Sequence, residues 1–226
     1  MPAKLMHPRY DELGSLGEGG VARTVLVWDS VARVRRAAKI SLNPDSAEAF
    51  LSEYHLLSSL NHPGLPRVYD LHHLSDGNLL FTMDYAGPVS LHSLLKNKIL
   101  WSKEDFISVL DQLLSVLAHC HTNNVVHHDL NPANIVFQSE SPSSSLKLID
   151  FGFASALGSS SPQVRGTVQY TAPEILRKES SDHRSDLYAF GVILYEILAG
   201  VNPFDDDNVV NVVINHLEKP VSGVPG

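Results

Sequence analysis

The sequence contains one cysteine, Cys120, in 226 residues. An internal disulfide framework is excluded, which points to a reducing compartment rather than secretion. The opening stretch, MPAKLMHPRYDELG, lacks an apolar leader segment, and no apolar run approaches the length needed to cross a bilayer. Positive charge is in deficit: 17 Lys and Arg stand against 25 Asp and Glu, for a net charge of −8. That sign argues against nucleic acid or an anionic membrane surface as the main partner. A zinc site is not supported either. HCH at 119–121 and the His pairs at 72–73 and 127–128 have no second ligand pair at metal spacing. These absences leave a cytoplasmic globular chain.

What is present can build a sizeable core, as one large domain or two lobes: 43% of residues are hydrophobic. ARTVLVWD, RVRRAAKIS, LPRVYDLHHL and NLLFTM are β-branched or alternating runs, and so read as strands. Between them, DSAEAFLSEYHLLSSL reads as a helix, with Asp45 and Glu48 spaced as a capping box and Phe50, Tyr54, Leu57 and Leu60 on one face. Glu53 shares that apolar face, and a carboxylate turned inward needs a cation. Lys39, framed by Ala37, Ala38 and Ile40, is the candidate.

After DYAGP at 84–88 the pattern turns helical. SKEDFISVLDQLLSVLAHCH carries an apolar stripe of Phe106, Val109, Leu110, Leu113, Leu114 and Leu117, with Ser102 and Asp105 suited to its start. NIVF and LKLID read as short strands joined by the Ser-rich turn QSESPSSS. SDLYAFGVILYEILAG is apolar nearly all round, as a helix buried on every side would be, and DDNVVNVVINHL is a final helix. The fold class is α+β: a small strand-rich lobe with one helix over 1–83, a hinge at 84–88, and a mainly helical lobe over 89–226.

NVVHHDLNPANIVF, 124–137, sets His127, His128 and Asp129 between two apolar anchors, Val125 and Val126 before and Ile135 to Phe137 after. That is how a reactive polar loop is held in place. LGEGG at 16–20 is a glycine-rich turn whose backbone N–H groups could approach phosphate, though such turns are common. Lys39 alone also says little, since a lysine in an edge strand is commonplace. The ordered combination of HHDLNPAN, DFG at 150–152 and APE at 172–174 is far more specific.

This set resembles the protein kinase family from about Tyr10 to about Leu217. The resemblance implies an incomplete two-lobed kinase fold using ATP and Mg²⁺ to phosphorylate a Ser or Thr hydroxyl of a protein substrate. It implies that Leu16, Gly17, Gly19, Gly20, Thr24 and Ala37 line the nucleotide site, with Lys39 on the α- and β-phosphates and Glu53 as its partner. Met83 guards the adenine pocket, and Asp84, Tyr85 and Ala86 form the hinge whose backbone bonds adenine. Asp129 is the catalytic base, and Asn134 and Asp150 hold Mg²⁺. Thr167 is a substrate-side loop residue, and Asp186 anchors the catalytic loop. His127 packs rather than reacts. The chemistry agrees: Mg²⁺ prefers carboxylate and amide oxygens, and phosphoryl transfer needs positioning and charge neutralisation above covalent help.

Four departures from the family pattern stand out. Asn131 replaces a catalytic lysine that touches the γ-phosphate, which slows an enzyme without abolishing it. Ala22 occupies the third glycine position and Thr24 the usual valine; if position 22 needs positive φ, alanine there is strained. His128 replaces an arginine that clamps a phosphorylated loop, so activity without loop phosphorylation is expected, with protonated His128 as a partial substitute. The chain also stops before the family's lobe does, and neither Arg177 nor Arg184 matches the arginine that pairs with the APE glutamate, Glu174. Either a missing segment or a partner chain is then expected to cover the underside of the lobe. Serines 159–161 read as linker, or as phosphorylation sites. Two rival readings remain, a nucleotide-binding pseudokinase scaffold and a small-molecule phosphotransferase; GTVQYTAPE argues against the second.

Overall fold

The structure is a computed structural model describing residues 7–43, 46–156 and 167–223. Asp45 and serines 159–161 therefore lie outside the described residues. The chain divides into two compact units between Ala86 and Gly87.

The first unit is built on an antiparallel sheet of β1 (Tyr10–Glu18), β2 (Ala22–Asp29), β3 (Val34–Ser41), β4 (Val68–His73) and β5 (Leu79–Asp84), in the order β1-β2-β3-β5-β4. Period-two alternation sorts its side chains between two faces. Tyr10, Val25, Val27, Ala38, Ile40 and Leu80 form a core on one face. Ala22, Ala37, Leu79, Phe81 and Met83 pack on the other against Phe50 of α1 (Ala47–Ser59). The helix turns Phe50, Glu53 and Leu57 inward, as its spacing predicts. Its N-cap is Ser46, whose hydroxyl donates to the Asn43 carbonyl (2.7 Å) instead of accepting a helix N–H. Because β3 is the middle strand, Lys39 is a central residue of the sheet, not an edge one.

The second unit opens with β6 (Val89–Ser90) and α2 (Leu91–Lys96), followed by α3 (Lys103–Thr122). Ser102 and Asp105 close a reciprocal capping box at the start of α3. Val109, Leu113 and Leu117 of the expected stripe are buried, joined by Val116 and Cys120, whereas Leu114 faces solvent. β7 (Val125–Val126), β8 (Ile135–Phe137), β9 (Leu146–Leu148) and β10 (Ser155–Ala156) frame the polar loop in two small sheets, β6-β8-β9 and β10-β7. α4 (Pro173–Leu176), α5 (Arg184–Ala199) and α6 (Val209–Glu218) complete the unit.

Contrary to its composition, α5 is not buried all round. Ala189, Phe190, Val192, Ile193 and Ile197 are buried, but Leu187 and Leu198 are 43% and 51% exposed with Gly191 on the same side. An apolar surface on one helix face is compatible with a folded chain, since much of any protein surface is apolar. The helix ends at Gly200 in the left-handed region (φ 71°), whose N–H donates to the Glu196 carbonyl (2.9 Å). Among the described residues no helix is long and apolar enough to cross a membrane.

Gly87 carries a constraint the sequence does not announce. Its φ is +146°, and a Cβ there would overlap the Phe137 carbonyl at the end of β8. Gly87→Ala is therefore expected to lower stability by about 2 kcal/mol or more, through backbone strain plus displacement of β8, in a urea denaturation series.

Candidate functional site

In the first unit, strand register places the candidate residues on one face. Gly17 lies opposite Thr24, Thr24 opposite Lys39, and Lys39 opposite Phe81; one pleat along, Ala37 lies opposite Met83. Residues directly opposite share a face, and so do residues two apart in a strand. Thr24, Ala37, Lys39 and Met83 therefore share the face on which α1 packs. Lys39 Nζ donates to both carboxylate oxygens of Glu53, at 2.6 and 2.8 Å, and both residues are buried. The paired carboxylate offsets the cost of placing an ammonium in the core.

The glycine turn is the tip of the β1–β2 hairpin. Gly19 N–H donates to the Ala22 carbonyl (2.9 Å), and nothing lies within 4 Å of a Cβ built on Gly17 or Gly20. Leu16 beside them is exposed. Ala22 is not among the positive-φ residues and sits in β2 opposite Ser41, so the strain considered for an alanine there does not arise. Asp84 ends β5 and its carboxylate accepts from Tyr69 Oη (2.7 Å) and Arg67 N–H (3.2 Å), while Ala86 is buried.

In the second unit, the polar loop is suspended from one carboxylate. Asp186 at the start of α5, 1% exposed, accepts the backbone N–H groups of His127 and His128, both at 2.9 Å, and pairs with His121 Nε2 at 2.8 Å. Burial alone would raise this acid, but His121, His127 and the two N–H donors hold it below its ordinary value. The loop is then closed on the strand after it. Ile149 N–H donates to the Asn134 carbonyl (2.8 Å), and the Ile149 carbonyl is 3.2 Å from His127 Nε2. Asp129 N–H donates to His127 Nδ1 (3.3 Å), so Nε2 carries the ring proton and is the donor to Ile149. His127 is fully buried with its ring edge-on to Phe151, a packing role as expected.

These bonds bring Asp129, Asn134 and Asp150 together. Asn134 Nδ2 donates to the Asp129 carbonyl (2.9 Å) and to its Oδ2 (3.1 Å), which leaves Oδ1 as the amide atom able to hold a cation. Asp129 is pushed above its ordinary value, first by burial and also by the negative charge of Asp150. A divalent cation would reverse that repulsion, so the donor set fits Mg²⁺. Asp150 itself adopts φ 62°, and the chain turns again at Gly152, where Ala154 N–H donates to the Phe151 carbonyl (3.0 Å).

Asn131 is also placed unlike a residue that touches substrate. It is buried; its Nδ2 donates to the Asp129 carbonyl (3.0 Å) and its Oδ1 accepts from Ala133 N–H (2.9 Å), capping the short 3-10 turn Pro132–Asn134. It braces the loop at the position where the family pattern has a lysine. His128 departs from expectation as well: burial lowers its proton affinity, so a charged His128 substituting for arginine is not supported. Thr167 is exposed at the start of the 3-10 turn Val168–Tyr170. Tyr170 Oη donates to Glu196 of α5 (2.6 Å), a bond no sequence motif indicated. Glu174 makes no side-chain hydrogen bond among the described residues; Arg184, bonded first to Asp182, feels its charge. Cys120 is buried and its thiol is pushed up to about 12, which makes it unreactive. Among the described residues no group of three or more His, Cys, Asp and Glu is placed to hold a metal ion.

Two outcomes follow from this geometry. Glu53→Ala, which strands a buried ammonium, is expected to cost about 3–5 kcal/mol, and Asp186→Ala, which strands two buried N–H donors, about 2–4 kcal/mol, both by denaturant titration. In the metal-free chain, carboxyl ¹³C NMR should find Asp129 titrating above 3.8, with Asp150→Asn moving it down. Protonated Asp129 thus stabilises the fold below its unfolded value, and that contribution is lost as pH rises through the raised folded value. An Asp129 titration unmoved by Asp150→Asn would contradict their proximity.

Comparison with known proteins identifies the family. The protein kinase domain model matches residues 10–222. The chain is 31% identical over 224 residues to serine/threonine-protein kinase PrkC of Bacillus subtilis (strain 168), covering 95% of this chain and 34% of that protein. It is 33% identical to serine/threonine-protein kinase pkn3 of Myxococcus xanthus, covering 94% of this chain and 42% of the relative. It is 34% identical to serine/threonine-protein kinase PknB of Mycobacterium tuberculosis (strain ATCC 25618 / H37Rv), covering 94% and 36%. The chain thus spans between 34% and 42% of the length of these relatives. Matched over nearly its whole length, the chain belongs to the protein kinase domain family.

Proposed function

We propose that the chain is the catalytic unit of an ATP- and Mg²⁺-dependent protein kinase that phosphorylates Ser or Thr hydroxyls of a protein acceptor. The observation that carries it is the loop hung from Asp186, which presents Asp129 bonded to Asn134 and electrostatically coupled to Asp150. The relatives named serine/threonine-protein kinases support the acceptor class.

Each residue has a distinct task in this reading. Lys39, oriented by Glu53, holds the α- and β-phosphates; the β1–β2 hairpin glycines offer backbone N–H groups; and Leu16, Thr24, Ala37 and Met83, with the backbone of Asp84 and Ala86, hold the base. Asn134 Oδ1 and the Asp150 carboxylate hold Mg²⁺, which when bound neutralises phosphate charge. Asp129 accepts the proton from the acceptor hydroxyl, a role that burial and a raised proton affinity suit. Asn131 is a positioning residue for that carboxylate, through its bond to the Asp129 carbonyl.

The test is MgATP turnover with a generic protein acceptor. Wild type is expected to transfer phosphate, with Asp129→Ala and Asp150→Asn falling at least 10²-fold. Asn131→Lys should lower kcat, because it removes the bond that braces the Asp129 carbonyl, and cost about 1 kcal/mol of stability from the lost cap; a rise would show instead that a missing cation limits the rate. Equal background transfer by all four, with MgATP still raising the Tm, would favour the pseudokinase reading.

A further inference from the structure

His128 is a junction of three elements. Its own backbone is left-handed (φ 62°) and its N–H is fixed by Asp186. Its ring lies between two hydroxyls: Nε2 is 2.9 Å from Ser155 Oγ in β10, and Nδ1 is 3.5 Å from Ser185 Oγ in α5. The proton positions follow from the next bond outward. Ser185 Oγ donates its only proton to the Asp182 carbonyl (2.8 Å), so towards His128 it can only accept. Nδ1 is therefore protonated, Nε2 is the acceptor, and Ser155 donates to it. A single neutral tautomer satisfies the whole chain of bonds, and burial favours that neutral ring.

β10 is a short strand. It is two residues long and, among the described residues, pairs with β7, Ser155 opposite Val126 and Ala156 opposite Val125. Two-stranded pairing of this size is marginal alone. One well-formed hydrogen bond shifts an opening equilibrium by about threefold to tenfold, enough to matter here.

We propose that neutral His128 is a positioning residue that ties the segment after Phe151 and Gly152 to the catalytic loop through Ser155, so that this register is set by a hydroxyl–imidazole bond. This rests on the kinase reading for its catalytic consequence, while the bond itself can be tested without it.

Amide hydrogen exchange and turnover on the full chain decide the matter, using His128→Ala, Ser155→Ala, their double variant and His128→Gln, whose amide oxygen can still accept from Ser155. Expected is three- to tenfold faster exchange of the Val125, Val126, Ser155 and Ala156 amides in each alanine variant, no further rise in the double variant, and rescue by His128→Gln, with α3 amides unchanged. The kcat of acceptor phosphorylation should fall in parallel, while the MgATP concentration giving half-maximal thermal stabilisation stays constant. Wild-type exchange in both single variants, additive effects in the double, or faster exchange with unchanged kcat would each overturn the proposal. Absence of turnover in the wild type would instead defeat the kinase reading, and the exchange data alone would then decide the bond.

Discussion

A carboxylate that is 1% exposed survives in a protein interior only if donors surround it, and among the described residues Asp186 has three: the N–H groups of His127 and His128 and the His121 ring. This one acid fixes the polar loop of the second unit. Two consecutive N–H groups can face one carboxylate because His128 takes a left-handed backbone, so local strain and long-range bonding explain each other. The direction in which Asp129 and Asn134 project depends on that anchor.

Downstream of it, the loop satisfies itself. The Asp129 carbonyl accepts from both Asn131 and Asn134, and Ile149 bonds the loop on both of its backbone groups. The first unit handles the same physical problem by another route: one buried cation, Lys39, is met by one buried anion, Glu53, in the centre of a sheet. In both units a buried charge is met by bonded partners that fix its orientation.

Much of this was legible in the sequence because it rests on periodicity and local chemistry. The inward face of α1 exposed Glu53 as a buried acid in need of Lys39, and the Ser102–Asp105 spacing declared the start of α3. What was not legible depended on distant partners. Asn131 looked like a lost catalytic cation, yet its amide is occupied by its own loop. His121 looked like one of a histidine pair flanking a cysteine, and is instead a ligand of Asp186, 65 residues away. The composition of α5 overstated its burial because an apolar residue can face solvent, as Leu187 and Leu198 do. Gly87 gave no motif at all; its necessity comes from the carbonyl of Phe137.

The anchoring role of Asp186 is tested most directly by residue-resolved exchange of the His127 and His128 amides. Bonded to a buried carboxylate, both should exchange at rates close to those of the α3 core, and Asp186→Ala should release them together. Fast exchange of either amide in the wild-type chain, comparable to that of the exposed turn at 139–145, would contradict the anchor on which the polar loop is built.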